Sequence, residues 1–149
     1  MQTSYNIILF FQLWVTGGQS SFSKSSKKSI EIVDENGSQS SGHQLLWDFH
    51  KHCSVVLNQT HAMLTGGYDH PNGTLIINLN NSEATRGPYF QVNERDAHAC
   101  ARLSHHNGTN FIVVAGGSDK AANIIKSSEV LDIDDIDQGW FQGKIINKI

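Results

Sequence analysis

The sequence lacks an apolar run long enough to cross a membrane as a helix. It also contains few prolines and cysteines, and its positive and negative charges nearly balance. Its longest mostly apolar run covers residues 7–15, whereas a membrane-spanning helix needs about 18 residues. The formal net charge is only -3 over 149 residues, with no basic stripe, so we expect no nucleic-acid partner. Two prolines and 17% charged residues argue against a disordered chain. These absences leave one folded domain of ordinary size.

The two cysteines, Cys53 and Cys100, are too few for a disulfide scaffold, and they lack the C-x-x-C spacing of a zinc or redox site. We interpret them as two small, half-buried strand residues. A bridge between them would require their α-carbons to lie within about 7 Å, and the sequence leaves that pairing open.

A period of about 50 residues is the most informative feature that is present. Three Gly-Gly pairs begin at positions 17, 66 and 116, and each follows a short apolar run. One such pair indicates only a turn, whereas three at one period predict a repeated structural unit. The pairs are Gly17-Gly18, Gly66-Gly67 and Gly116-Gly117.

Other residues recur in phase with the glycine pairs. An acidic residue follows the first and third pairs at Glu31 and Glu129, and a tryptophan follows each of these at Trp47 and Trp140. Arg95 and His98 precede the third pair. The second repeat departs from the pattern, because residues 74–79 contain no Glu and Tyr89-Phe90 stands where the tryptophan would fall.

These residues resemble the kelch motif over about residues 7–147, most closely from Arg95 to Trp140. The resemblance implies an all-β fold of kelch-type β-propeller blades, about three of them, each with four strands. Because closed propellers have four to eight blades, we expect an open arc rather than a closed ring. The chain would then be part of a longer propeller or would complete a ring with another chain.

The repeat divides the chain into three units, 19–57, 58–103 and 104–149, with a Ser/Lys-rich loop at 19–28. Residues 1–18 fit either a signal peptide, although no Lys or Arg precedes the apolar run, or the first kelch strands. Blades without neighbours expose strand edges, which favour self-association.

Strand composition and turn chemistry predict the strands without the family resemblance. An alternative is a set of generic hairpins in a β-sandwich, which would not explain the common period. We also expect Arg95 to pair with Glu129 across one blade, and the sequence leaves the burial of that pair open. The predicted strands are 52–57, 61–65, 74–79, 97–103, 110–115 and 127–132.

Five Asn-X-Ser/Thr triplets are candidate N-glycosylation sites, a modest excess for this composition. Ordinary turn chemistry is the alternative explanation, because Asn-Gly is also a hairpin signal. Together with the N-terminal run they favour a secreted protein over a cytoplasmic one. The acceptor asparagines are Asn36, Asn58, Asn72, Asn80 and Asn107.

Neither the histidines nor the acidic run predicts a catalytic or metal site. His50 and His52 alternate on one strand, and His105-His106 lies in a turn, but no third ligand stands at a defined spacing. The acidic run at residues 132–137 lacks the glycine and glutamate of an EF-hand loop. We therefore predict no catalytic residue, no metal and no cofactor.

The resemblance implies a non-catalytic kelch-repeat protein that binds an unidentified protein partner through loops of the propeller, because loops on a rigid scaffold vary without unfolding it. One alternative is a fragment of a galactose-oxidase-like copper radical enzyme. Another is the kelch part of a BTB-kelch ubiquitin-ligase substrate adaptor.

Overall fold

A computed structural model of the chain describes residues 13–19, 27–34, 36–90 and 92–143. Within these ranges the fold is all-β, and its only helical element is a single 3-10 turn, Ile136–Gln138. The strands are β1 (Leu13–Thr16), β2 (Lys27–Asp34), β3 (Gly37–Phe49), β4 (Cys53–Val56), β5 (His61–Thr65), β6 (Thr74–Asn78), β7 (Ala84–Arg86), β8 (Ala99–Ser104), β9 (Asn110–Ala115), β10 (Ser128–Asp132) and β11 (Phe141–Gln142).

The strands form three antiparallel sheets, each built from strands that follow one another in the chain. The first sheet has the order β1-β2-β3, the second β4-β5-β6-β7 and the third β8-β9-β10-β11. None of the three closes on itself. The all-β prediction is therefore confirmed. The sheets do not follow the predicted unit bounds, because β4 precedes residue 58 but belongs to the second sheet, and β8 begins before residue 104 but belongs to the third.

The strands predicted from composition are confirmed, and their bounds shift by at most two residues. The largest shift is at β8, which begins at Ala99 rather than at residue 97. Ala97 has a φ of 50°, which is incompatible with extended backbone.

The predicted loop at 19–28 ends earlier than expected, because Lys27 and Lys28 belong to β2. There the main-chain nitrogen of Lys27 donates to the Gly18 carbonyl at 2.9 Å and extends the sheet. Residues 1–12 and 20–26 lie outside the described ranges.

The second sheet packs between the other two and buries apolar side chains on both faces. Successive strand residues point to opposite faces, so in β5 Met63 faces one core and Leu64 the other. The first core consists of Leu57, Met63, Phe90, Ile112, Val114, Leu131 and Trp140. The second consists of Ile30, Leu45, Phe49, Leu64, Leu75 and Ile77.

A disulfide joins the first strands of the second and third sheets. Cys53 in β4 and Cys100 in β8 have α-carbons 5.9 Å apart and are bonded. Both cysteines are half-buried in strands as expected, and the pairing that the sequence left open is present. The two cysteines are 47 residues apart in sequence, and only the packing of the two sheets brings them together.

Because neighbouring strands run in opposite directions, the connections between them gather at two ends of the sheets. The glycine end, as we call it, holds the glycine pairs and the connections between sheets, and the asparagine end holds the other turns. The glycine end comprises residues 17–19, 50–52, 66–73, 87–98 (except 91) and 116–127. The asparagine end comprises residues 36, 57–60, 79–83, 105–109 and 133–140.

The glycine pairs allow main chains of different sheets to approach closely. Gly66 has a φ of +56°, and a β-carbon on it would lie 2.4 Å from the Arg95 carbonyl oxygen. The next nitrogen, that of Gly67, donates to the same carbonyl at 3.0 Å. The first pair repeats this arrangement, because the Gly18 nitrogen donates to the Phe49 carbonyl at 2.7 Å.

Gly116→Ala is the matched control for Gly66→Ala, because the two glycines differ in contact but share backbone conformation. Gly116 has a φ of +69°, and its nearest obstacle to a β-carbon lies 3.9 Å away. We expect Gly116→Ala to lose about 1–2 kcal/mol of unfolding free energy through backbone conformation alone. Gly66→Ala should lose more, because the Arg95 carbonyl must move away. Urea unfolding of both variants measures the difference, and equal losses would contradict the proposed role of the close contact.

Candidate interaction face at the glycine end

A buried ion pair between Arg95 and Glu129 fixes the connection between the second and third sheets. Arg95 Nη2 donates to Glu129 Oε1 at 2.9 Å, and both side chains are fully buried. Arg95 Nη1 donates to the carbonyls of Gly116 and Ser127 at 3.0 and 3.2 Å. The expected pair is thus present, and its burial, which the sequence left open, is complete. Glu129 also accepts hydrogen bonds from the main-chain nitrogens of Val92 and Asn93.

The second sheet places apolar side chains where the third sheet has this ion pair. Leu75 occupies the position in the second sheet that Glu129 occupies in the third. Leu75 directly follows Thr74, and Glu129 directly follows Ser128. Thr74 and Ser128 each pair with the residue that precedes the glycine pair of their sheet. Phe49 and Leu75 lie in the same core cluster, both nearly inaccessible to solvent. The Phe49 carbonyl accepts a hydrogen bond from the Gly18 nitrogen, just as the Arg95 carbonyl accepts one from the Gly67 nitrogen. Phe49 is therefore the counterpart of Arg95. The missing Glu in the second repeat is therefore accompanied by a missing Arg.

The tryptophans have different environments. Trp140 is fully buried, packs edge-on against Phe90 at 4.8 Å and donates from Nε1 to the Pro88 carbonyl at 3.0 Å. Trp47 is only half-buried and stacks on Phe49 at 5.9 Å. Glu31, the sequence counterpart of Glu129, is exposed.

Two histidines connect consecutive glycine turns. His98 Nε2 lies 2.9 Å from Thr65 Oγ1, and His52 Nε2 lies 3.2 Å from Thr16 Oγ1. Each threonine directly precedes a glycine pair, and each histidine lies in the connection that leads into the next sheet. The third pair follows Ala115, which has no hydroxyl at the position of Thr16 and Thr65.

One tautomer of His98 satisfies both contacts of the Thr65 hydroxyl. The hydroxyl donates to the Cys53 carbonyl at 3.2 Å, and its oxygen can accept from a protonated His98 Nε2 at 2.9 Å. His98 Nδ1 is buried without a hydrogen-bond partner. Protonation would add a charge and an unsatisfied donor at this atom. Burial, with Arg95 and His52 nearby, accordingly lowers the pKa of His98 to about 4, although Asp96 acts in the opposite direction. Burial also lowers the pKa of His52, and His50 adds to the effect.

Exposed aromatic and charged groups cover the surface of the glycine end between the first two sheets. Tyr68, 52% exposed, lies with its ring 5.0 Å from that of His50 and 5.4 Å from the Lys51 ammonium. Its main-chain nitrogen donates to the His50 carbonyl at 3.0 Å. Next to it, Asp69 Oδ2 lies 3.2 Å from His50 Nδ1. Tyr68 is thus an accessible side chain on a fixed main chain.

The turn at residues 118–124 presents a second accessible side chain. The Asn123 side-chain amide donates to Asp119 at 2.9 Å, and the main-chain nitrogens of Asn123 and Ala121 donate at 2.8 and 2.9 Å. These hydrogen bonds, that of the Asn123 side chain foremost, lower the pKa of Asp119. Ser118 exchanges main-chain hydrogen bonds with Asp96 of the preceding connection. Ile124 projects from this turn with 80% of its surface exposed. Tyr89 and Val92 add further exposed apolar surface at the same end.

The candidate glycosylation asparagines are distributed unequally between the two ends. Four are exposed and lie at the asparagine end, whereas Asn72 is half-buried in the turn at the glycine end. The four exposed residues are Asn36, Asn58, Asn80 and Asn107.

A cavity of about 470 Å³ lies between the first and second sheets. Trp14 and Thr16 line it on one side and Val55, Leu64 and Ile77 on the other, and none of its lining residues is charged. Over the described ranges no three His, Cys, Asp or Glu side chains are grouped so that they could hold a metal ion. In the same ranges no helix is long and apolar enough to cross a membrane.

Comparison with known proteins returns no matching family model and no matching curated protein. The functional interpretation therefore depends on the geometry of the chain itself.

The buried ion pair predicts a large effect for Arg95→Ala. Removing one partner leaves a buried charge and should cost about 3–5 kcal/mol of unfolding free energy. Arg102→Ala is the control, because Arg102 is exposed, and should change stability by less than about 0.5 kcal/mol. The double variant Arg95→Met/Glu129→Leu, which mimics the apolar second sheet, should recover part of the loss. Equal urea midpoints for the two single variants would contradict the role of the pair.

His98 predicts that stability falls as the pH falls from 6.5 to 4. In this window the unfolded chain binds a proton that the folded chain excludes, so each pH unit costs up to about 1.4 kcal/mol. Above 6.5 the imidazole is neutral in both states and the cost is absent. His98→Gln retains a donor for Thr65 and should reduce this dependence in urea unfolding measured at several pH values.

His105→Gln is the control for the pH series, because His105 lies in an exposed turn. It should leave the pH dependence unchanged. A wild-type slope retained in His98→Gln would refute the assignment to His98.

Proposed function

We propose that this chain is a non-catalytic protein of kelch type whose three sheets are blades of an open propeller arc, and that it binds another protein through the glycine end. Support for the kelch assignment comes from the agreement between the 50-residue period and the three consecutive sheets. The equivalent main-chain contacts at Gly18 and Gly67 add to it, because they repeat in three dimensions what the sequence repeats.

The observation that carries the binding proposal is a fixed main chain with accessible apolar side chains. Hydrogen bonds between different connections hold Tyr68, Asp96 and Ala97 in place, the last through the Lys51 carbonyl at 2.8 Å. Tyr68 and Ile124 remain exposed on this framework. Protein interfaces favour such an arrangement, because a preformed surface loses little conformational entropy on binding and tyrosine is frequent at binding hot spots.

We propose further that the protein is secreted. The disulfide between Cys53 and Cys100 supports this, because such bonds persist mainly in oxidising compartments. The N-terminal apolar run supports it less, since cleavage near residue 18 would remove β1 and with it the Thr16–His52 contact. The export proposal therefore depends on the disulfide and on the acceptor asparagines.

Self-association through open strand edges is part of the same proposal. In β8 all residues except Cys100 are exposed, including Leu103 with 53% of its surface. Because β8 pairs only with β9 within its sheet, its other edge is a template for pairing with another strand.

The binding proposal is tested by comparing two double variants that remove equal numbers of exposed apolar side chains. Tyr68→Ser/Ile124→Ser alters the glycine end, and Val56→Ser/Phe141→Ser alters exposed strand residues near the asparagine end. Extracellular proteins captured by the wild type are identified by mass spectrometry, purified and measured directly for affinity. We expect the first variant to weaken binding at least about tenfold, since a hot-spot residue contributes more than about 1 kcal/mol, and the second to bind as the wild type does.

Both variants must first give the wild-type circular dichroism spectrum and a similar melting temperature. Binding that survives the glycine-end substitutions, or that is lost equally in both variants, would contradict the proposed face.

A further inference from the structure

The four exposed acceptor asparagines occupy turns that leave the sheets in the same direction. Asn36 lies in the β2–β3 turn, Asn58 between β4 and β5, Asn80 between β6 and β7, and Asn107 between β8 and β9. Each turn follows a strand that runs away from the glycine end. A modification common to these four positions would therefore cover one end of the molecule and leave the other accessible.

The fifth acceptor, Asn72, has a different environment. It is half-buried between two buried residues, Pro71 and Gly73, and its carbonyl accepts a hydrogen bond from the Phe90 nitrogen at 3.0 Å. The Thr74 hydroxyl is fully buried and donates to the Pro88 carbonyl at 2.7 Å. An oligosaccharide is bulky and hydrophilic, so it would obstruct the packing of this turn against the 87–98 connection.

Two of the exposed turns use the oxygen of the acceptor amide. Asn58 Oδ1 accepts from the nitrogen and the hydroxyl of Thr60, both at 2.9 Å. Asn107 Oδ1 accepts from the Thr109 nitrogen at 3.1 Å and lies 2.8 Å from His105 Nδ1. The amide nitrogen Nδ2, which is the atom that carries a glycan, does not take part in these bonds. The folded turns are therefore compatible with a glycan on either asparagine.

We infer that the asparagine end is a glycan-bearing face, modified at Asn36, Asn58, Asn80 and Asn107 but not at Asn72. The inference rests on the proposed secretion. In the modification the asparagine Nδ2 bonds to C1 of the sugar and loses a proton. The C1–O bond of a lipid-linked oligosaccharide diphosphate breaks, and the lipid diphosphate leaves.

Site occupancy tests the inference directly. The full 149-residue chain is secreted from animal cells behind a fused leader, and enzymatic deglycosylation in ¹⁸O water marks each formerly modified asparagine for mass spectrometry. We expect the mark at all four asparagines of the asparagine end and none at Asn72. Thr60→Ala and Thr109→Ala should each remove one glycan, whereas Asn72→Gln should remove none. A mark at Asn72 as frequent as the others, or none at the asparagine end, would overturn the inference.

The experiment distinguishes a failure of the glycan inference from a failure of the proposed secretion. The chain without the fused leader shows by its presence in the medium or in the cytosol whether it is exported. The leader-directed chain shows which asparagines the fold allows to be modified. Retention in the cytosol with the expected occupancy pattern would therefore refute secretion and leave the one-sided arrangement supported.

Discussion

Arg95 contacts two glycine turns at once, one through its main chain and one through its side chain. Its carbonyl lies against Gly66 and accepts a hydrogen bond from Gly67, while its guanidinium reaches the Gly116 carbonyl and Glu129. The second and third sheets can adopt this arrangement only if residue 66 has no side chain that would collide with the Arg95 carbonyl. The arrangement also requires that the buried Glu129 carboxylate neutralise the guanidinium. Because a buried charge without its partner is very unfavourable, the geometry of the 87–98 connection depends on this one residue. The exposed side chains of Tyr89 and Val92 lie in this same connection.

The repeats reproduce one geometry with different chemistry. Where the third sheet uses Arg95 and Glu129, the second uses Phe49 and Leu75. Such an exchange is physically reasonable, since a buried ion pair and a well-packed apolar pair of similar volume contribute comparable stability. What recurs is the approach of a carbonyl to a glycine turn, and the side chains that support it vary.

The two ends of the sheets differ in their chemistry and in how their connections are held in place. At the glycine end, connections from different sheets exchange main-chain hydrogen bonds, and His52 and His98 lie between consecutive turns. At the asparagine end, turns close on themselves through side-chain oxygens such as those of Asn58 and Asn107. The disulfide from Cys53 to Cys100 joins the strands that connect these ends. A rigid, partly apolar surface on one side and independent polar turns on the other suit protein binding and carbohydrate attachment respectively.

From the composition of the sequence, six of the eleven described strands were predictable, namely β4, β5, β6, β8, β9 and β10. Alternating apolar residues and turn residues act through local backbone geometry, which is why the bounds of these six strands agree within two residues. The sequence also predicted the pairing of Arg95 with Glu129, because an acidic residue recurs at Glu31 and Glu129 in phase with the glycine pairs.

The tertiary structure alone decided which distant atoms meet. The pairing of Cys53 with Cys100, the burial of Glu129 against the exposure of Glu31 and the substitution of Phe49 for Arg95 all follow from how one sheet packs on the next. Asn72 and Asn58 have the same sequence signal but opposite environments, because the direction of the preceding strand decides the end at which each turn lies. Local patterns carry no information on such distances, since these depend on side-chain packing between segments about 50 residues apart.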